Sequence, residues 1–302
     1  MPSLLIVFFM VIFLLESMAA IIQNGFIITV LGTKWVQCWT LPPGDMILLS
    51  LGISRFFLQW AAVLSNFISY FSPVNRSPYL GIFWSFTNVT TFCFTTCLAV
   101  FYCVKISSFT HPIFLWLKWR ISRFVPRILL SSLVISNLII IPSVVKIYFV
   151  FPLPVTGNYS EKTTLDDMKL AFHKQFLMPL QVFILLILFL FFLVSLISLI
   201  SSLCRHLGNM QHYSAGPQQP STQVHVTTVK SFSLFLILCT SYVLPLIFTL
   251  TAPHSTSVFS PQFWVWEILT YAGISIHPAF LILNSSELRR ALKKLLHDHE
   301  AA

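Results

Sequence analysis

Seven stretches of this sequence are each long and apolar enough to cross a hydrocarbon layer, near Leu4–Leu31, Met46–Tyr70, Leu80–Ile106, Ile128–Phe151, Phe176–Leu203, Phe232–Thr251 and Phe263–Leu283. A helix needs about 20 mostly apolar residues to span such a layer. Inside it no water is present to satisfy backbone N–H and C=O groups, so an unpaired segment of this kind is forced into a helix. The expected fold is therefore an all-α membrane protein, a seven-transmembrane helix bundle. Only 9% of the residues are charged, against about 25% in soluble domains, so the chain cannot coat itself with a water-compatible surface. No polar linker divides the sequence, and residues 1–302 are expected to form a single bundle. The last stretch is the shortest and most polar, since it contains Glu267, Ser275 and His277. The first has no positively charged start, too long an apolar run and no small-x-small site after it, so it reads as a retained helix and not a signal peptide.

Orientation follows from the loops. Lys and Arg concentrate on the cytosolic side of membrane proteins. Loops after odd-numbered stretches, with the tail, carry twelve of them, and the opposite loops carry four: Arg76, Lys162, Lys169 and Lys174. This predicts an extracellular N-terminus and a cytoplasmic C-terminus. The net charge of +9 lies in short segments between apolar runs and not along one face, which argues against a nucleic-acid partner. Asn158-Tyr159-Ser160 and Asn75-Arg76-Ser77 are glycosylation sequons on the expected outside, Asn158 being favoured by its longer polar loop. Over residues 286–297, Leu288, Ala291, Leu292, Leu295 and Leu296 repeat at helical spacing, with Arg289, Arg290, Lys293 and Lys294 facing away. A short amphipathic helix of this type lies in the headgroup layer, with membrane lipid as its partner.

Ionisable groups at membrane depth need partners or a function. Arg55 falls near the middle of the second stretch, where Asn24 from the first and Ser275 or backbone from the seventh offer acceptors; a polar clasp between helices fits this better than a ligand contact. Glu267 sits in the outer half of the seventh stretch beside Trp264 and Trp266, suited either to a ligand donor or to snorkelling toward water. Trp84 and Asn88, four residues apart, share a face of the third; packing and ligand contact both fit that pattern. Glu16 and Lys146 have no explanation in the pattern. The six cysteines show no metal-ligand spacing, and no cofactor is expected. No nucleophile–base set, paired carboxylates or metal-spaced histidines share a depth, so the chain does not read as an enzyme. A small transporter or channel is the rival class; it calls for repeated halves or rings of pore charge, and no internal repeat is visible.

The motifs narrow the reading further. Leu48-Leu49-Ser50-Leu51-Gly52-Ile53-Ser54-Arg55 resembles the LxxLAxSR pattern of type 2 taste receptors, the bitter receptors. The run between Trp84 and Ile121 is similar to that family's third helix and second inner loop almost throughout, with Phe101-Tyr102-Cys103-Val104-Lys105-Ile106 where rhodopsin-like receptors carry Asp-Arg-Tyr. Ser195-Leu196, Ser202-Leu203 and His206 resemble the end of its fifth helix, and Pro220 to His225 with Lys230 its third inner loop. His277-Pro278-Ala279-Phe280-Leu281-Ile282-Leu283-Asn284, with Leu288 and Arg289, is similar to its seventh helix and tail.

The resemblance implies a G-protein-coupled receptor in the plasma membrane that binds bitter small-molecule agonists. It implies coupling to heterotrimeric G proteins of the gustducin or Gi type through the inner loops. Trp84, Asn88, Tyr242 and Glu267 fall on positions that line the family's ligand pocket, and Arg55 on an arginine tied to an asparagine like Asn24. Lys105, Arg123, Arg205, His206 and Lys230 border the expected G-protein face. The outer loops hold no Cys, which agrees with the family's lack of the rhodopsin-type disulfide. Departures are Gly52 for the usual alanine, Cys239 where tyrosine is frequent, no mid-helix proline in the fifth helix, and Pro245 in the sixth.

Overall fold

The computed structural model describes residues 4–72, 78–107, 111–150, 175, 178–213, 220–251 and 258–300. The helices among them are α1 (Leu4–Cys38), α2 (Pro43–Phe71), α3 (Pro78–Ile106), α4 (Pro112–Val150), α5 (Met178–Tyr213), α6 (Pro220–Thr251), α7 (Pro261–Asn284) and α8 (Ser286–Glu300), with no strand among the described residues. The first seven are long and apolar enough to cross a membrane. Proline opens α2, α3, α4, α6 and α7. Its fixed φ suits the first helical turn, where its missing N–H has no partner to lose. Ser260 caps α7 by accepting from the Gln262 backbone N–H at 3.3 Å. At the other end of α1, Trp39 takes a left-handed φ of 55° and its N–H donates to the Trp35 carbonyl at 2.7 Å. A left-handed residue just past the last turn ends a helix; glycine usually fills this place, and a bulky residue there is uncommon.

The helices close into a ring. α1 packs on α2 and α7, α5 on α6, and α6 on α7, while α3 occupies the middle against α2, α4 and α5. Among the described residues, every Lys and Arg except Arg55 and Lys146 lies where α1, α3 and α5 end, where α4 and α6 begin, or on α8, and we call this the basic end. Two apolar clusters are stacked along the bundle. One lies toward the basic end and includes Leu31, Leu51, Leu98, Leu199 and Phe235. The other lies toward the far end and is built on Phe13, Leu58, Phe92, Trp264 and Tyr271. Outside the ring, Leu15, Ile22, Leu130, Leu190 and Val194 stay exposed; a belt of that extent marks contact with lipid, not water.

Helices α6 and α7 come into close backbone contact at Gly273, where a Cβ would collide with the Leu238 carbonyl oxygen. Only a residue without a side chain permits that spacing. At Gly52 a Cβ would stand 3.5 Å from Ile27 and Ile28, an ordinary contact, so the chain's departure from alanine here creates no special backbone geometry. Pro245 and Pro278 lie inside α6 and α7 without ending them.

The break between α7 and α8 is the single residue Ser285, whose N–H donates to the Leu281 carbonyl at 2.9 Å and whose own carbonyl accepts from the Arg289 N–H at 2.9 Å. Leu288 is buried against the bundle and Leu292 partly so, while Leu295 and Leu296 are exposed. Lys34, at the end of α1, pairs with Asp45 of α2 at 2.9 Å and with Glu287 of α8 at 2.6 Å. One ammonium therefore joins three elements at the basic end.

Candidate functional site

The far half of the bundle holds a set of polar side chains that bond across helices. Tyr242 of α6 donates its hydroxyl to Asn88 Oδ1 of α3, and both residues are buried. Trp84, one turn before Asn88, donates its indole N–H to the Tyr271 hydroxyl of α7 at 2.6 Å. Glu267, one turn before Tyr271, accepts from the Asn66 amide of α2 at 2.7 Å. Trp84, Asn88, Tyr242 and Glu267 thus face the interior of the same half, and each already has a partner on another helix. Low dielectric strengthens such bonds and makes an orphaned partner expensive. Beside them, toward the far end, lies an aromatic cluster: Phe13 of α1 meets Trp264 at 5.8 Å and Tyr271 at 6.0 Å edge-on, and Phe67 and Tyr70 of α2 pack on the same Trp264.

Asn66, Tyr271 and Phe13 were not singled out from sequence as members of this group, whereas Trp264 was named beside Glu267. The i, i+4 spacing of Glu267 and Tyr271 was the available signal, since it stacks both on one face of α7. Asn66 had none, because a lone amide near a span end is ordinary.

Deeper in the bundle, Arg55 Nη1 lies 2.6 Å from His277 Nδ1. A guanidinium only donates, so Nδ1 carries the lone pair and the His277 proton sits on Nε2. The Phe235 ring covers His277 at a centroid distance of 4.3 Å. Asn24, expected to hold Arg55, instead donates to the Ala20 carbonyl of its own helix at 2.8 Å. Ser275 accepts from Gln59 at 3.2 Å. The structure therefore joins α2 and α7 twice, through Gln59 and Ser275 and through Arg55 and His277. One oxygen each of Glu16 and Gln59, and Nε of Arg55, are buried without a partner. His277 was overlooked as the arginine's partner, although the rule applied to Arg55, that an ionisable group at depth needs a partner, applied equally to it.

The basic end opens differently. A cavity of about 580 Å³ lies between α3, α6 and α7, lined among others by Tyr102, Ser231, Phe235, Leu238, His277 and Asn284. Asn284 donates to Ser231 across its mouth at 3.1 Å. Arg123, Arg205, His206 and Lys230 are exposed at this end and Lys105 is half-buried. Asn75 and Asn158, the two sequons, lie outside the described residues. No group of three or more His, Cys, Asp or Glu able to hold a metal occurs among the described residues.

Seven helices long and apolar enough to cross a membrane, six of them around α3, with a polar and aromatic interior at one end and a basic rim bearing an amphipathic helix at the other, define a seven-helix membrane protein. Comparison with known proteins gives the family. The profile described as Taste receptor protein (TAS2R) matches residues 1–300, and the chain belongs to the type 2 taste receptor family. It is 43% identical to taste receptor type 2 member 134 of Rattus norvegicus over 94% of this chain and 85% of that protein. It is likewise 43% identical to taste receptor type 2 member 16 of Homo sapiens, over 97% of this chain and 98% of the relative. Taste receptor type 2 member 143 of Rattus norvegicus is 40% identical over 97% and 99% of the two chains.

Proposed function

We propose that this chain is a plasma-membrane G-protein-coupled receptor for bitter small molecules, its N-terminus extracellular and its C-terminus cytoplasmic. The observation that carries the reading is the set of cross-helix hydrogen bonds in the far half, Tyr242 to Asn88, Trp84 to Tyr271 and Asn66 to Glu267. These bonds connect α2, α3, α6 and α7 through groups that a small molecule with donors, acceptors and an aromatic face can exchange for its own. Exchange of one hydrogen bond for another costs little net free energy. It does, however, release the helices from one another, and an agonist then favours the rearranged bundle by as much as it binds that form more tightly. In this reading Trp84 and Tyr242 give aromatic contact, and Asn88 and Glu267 orient the polar groups of the ligand.

At the opposite end, the cavity between α3, α6 and α7 is where a Gα subunit of the gustducin or Gi type engages, with Lys105, Arg123, Arg205, His206 and Lys230 at its border. The twelve-to-four distribution of Lys and Arg supports that end as cytosolic. Asn24, Arg55 and Ser275 belong to the polar layer between the two ends, and Asn158, with Asn75 second, is the expected glycosylation site.

The test is calcium release in cells expressing the chain with a promiscuous gustducin-type Gα chimera, challenged with a panel of bitter compounds. Trp84→Ala and Glu267→Gln are compared with wild type at matched surface expression. Loss of response in both supports the receptor and the site. Full retention in both keeps the receptor and removes the site. Ligand-stimulated flux in liposomes without any G protein overturns the receptor reading in favour of a transporter or channel.

A further inference from the structure

We propose that His206 and His225 form a binding site for a divalent transition metal of the zinc type, which ties the end of α5 to the beginning of α6. Their rings meet edge to face across the two helices, centroids 5.4 Å apart and planes at 76°. Rotation about χ2 of a histidine turns the ring about an axis through its own centre, and that torsion is broad. The nitrogens can therefore be re-aimed at little cost, and the separation of the ring centres is the quantity that the helices set.

That separation suits a shared metal. With a Zn–N bond of about 2.05 Å and the ring centre roughly 1.1 Å beyond the nitrogen, two imidazoles at a tetrahedral angle have centres about 5.2 Å apart. The helices hold His206 and His225 within a few tenths of an ångström of this spacing. His206 is exposed and His225 half-buried, so a hydrated ion reaches the pair from the aqueous side of the basic end. Among the described residues neither ring has a charged or backbone partner to surrender.

Two neighbouring cations bear on affinity. Arg205 precedes His206 by one residue and Lys230 follows His225 by five, which turns them about 100° and about 140° away around their helices. They lower the affinity without blocking the site. With no third protein ligand among the described residues, water completes the coordination. The site is therefore weaker than a four-ligand structural zinc site and is readily reversible. Imidazole donors select zinc, copper and nickel over magnesium and calcium. Occupancy fixes the spacing of α5 and α6 at the basic end. This inference rests on the geometry of the two rings and is independent of the proposed agonist and G protein.

The experiment uses the full chain purified into nanodiscs and titrated with zinc chloride against a chromophoric competitor, with thermal melting as a second readout. Wild type is expected to take up one Zn²⁺ more than His206→Ala or His225→Ala, and to melt about 2–4 °C higher at saturation. Both effects should disappear in either variant, persist in Cys204→Ser, and be absent when magnesium chloride replaces zinc. Equal uptake by wild type and both variants overturns the proposal, as does loss in only one of the two or loss in Cys204→Ser. If an alanine variant melts early without metal, His→Gln at the same position preserves size and polarity while removing the imidazole, and the same outcomes decide.

Discussion

Arg55 and His277, 222 positions apart in the chain, meet at 2.6 Å across α2 and α7. The contact leaves Arg55 Nε buried and unpartnered, so the guanidinium depends on this imidazole. A hydrogen bond to a charged group contributes about 1.5–3 kcal/mol. His277→Phe is therefore expected to lower the stability of the purified receptor by about that amount, while His277→Asn, which keeps an acceptor, loses less. A double-mutant cycle with Arg55→Gln, read by thermal melting, checks this. Strictly additive losses would show that the two side chains do not interact.

The Tyr242–Asn88 bond is a second buried cross-helix contact. Interhelical hydrogen bonds in membranes average about 0.6 kcal/mol, with a maximum near 1.7 kcal/mol. Tyr242→Phe and Asn88→Ala should therefore show a coupling of that size in melting temperature. Because Tyr242→Phe keeps the ring, agonists that use only its aromatic face should retain potency, and those that need its hydroxyl should lose it.

Asn66 fixes where the Glu267 carboxylate points. Asn66→Ala is expected to raise agonist EC50 about tenfold, equivalent to about 1.4 kcal/mol, at unchanged surface expression. Calcium responses with parallel surface labelling measure it. Unchanged potency across the panel would mean that the carboxylate's position is irrelevant to the ligand.

Two glycines should behave oppositely. Gly273→Ala drives a methyl group into the Leu238 carbonyl oxygen and must separate α6 from α7, so surface expression should fall sharply. Gly52→Ala meets only ordinary contacts and removes backbone freedom from the unfolded chain, a gain of about 0.4–1 kcal/mol at a compatible site. Cell-surface labelling and melting temperature distinguish the pair.

Much of this architecture can be read from local properties of the chain. Seven apolar runs predict seven crossing helices because lipid leaves the backbone no other way to satisfy its polar groups. Helix ends were less legible. Hydropathy begins the fourth span at Ile128, whereas α4 starts at Pro112, because Trp116, Arg120 and Arg123 are compatible with a helix though not with hydrocarbon. The sixth run likewise begins at Phe232 and its helix at Pro220.

Partner choice is the property that local pattern does not encode. Arg55 advertised its need for acceptors, but Asn24, the candidate on an adjacent helix, satisfies itself on Ala20. The four candidate ligand-site residues were found by spacing and by family resemblance. The groups that hold them, Asn66 and Tyr271, come from register between helices far apart in sequence. Lys34 counted only as one positive charge among twelve, with nothing to indicate its two carboxylate partners.

The one-residue break at Ser285 gives α8 a mechanical character. Its 15 residues make a rod about 22 Å long, hinged at the foot of α7. A tilt of about 10° at that hinge carries the tip through roughly 4 Å, given the same rise per residue. The ion pair of Lys34 with Glu287 grips the rod beside its fulcrum, where a restraint has the least leverage. A tilt of that size would move Lys293, Lys294 and the exposed leucines near the tip several times farther than Leu288 at the root, so the same change in α7 is small where α8 packs on the bundle and large where its charges stand.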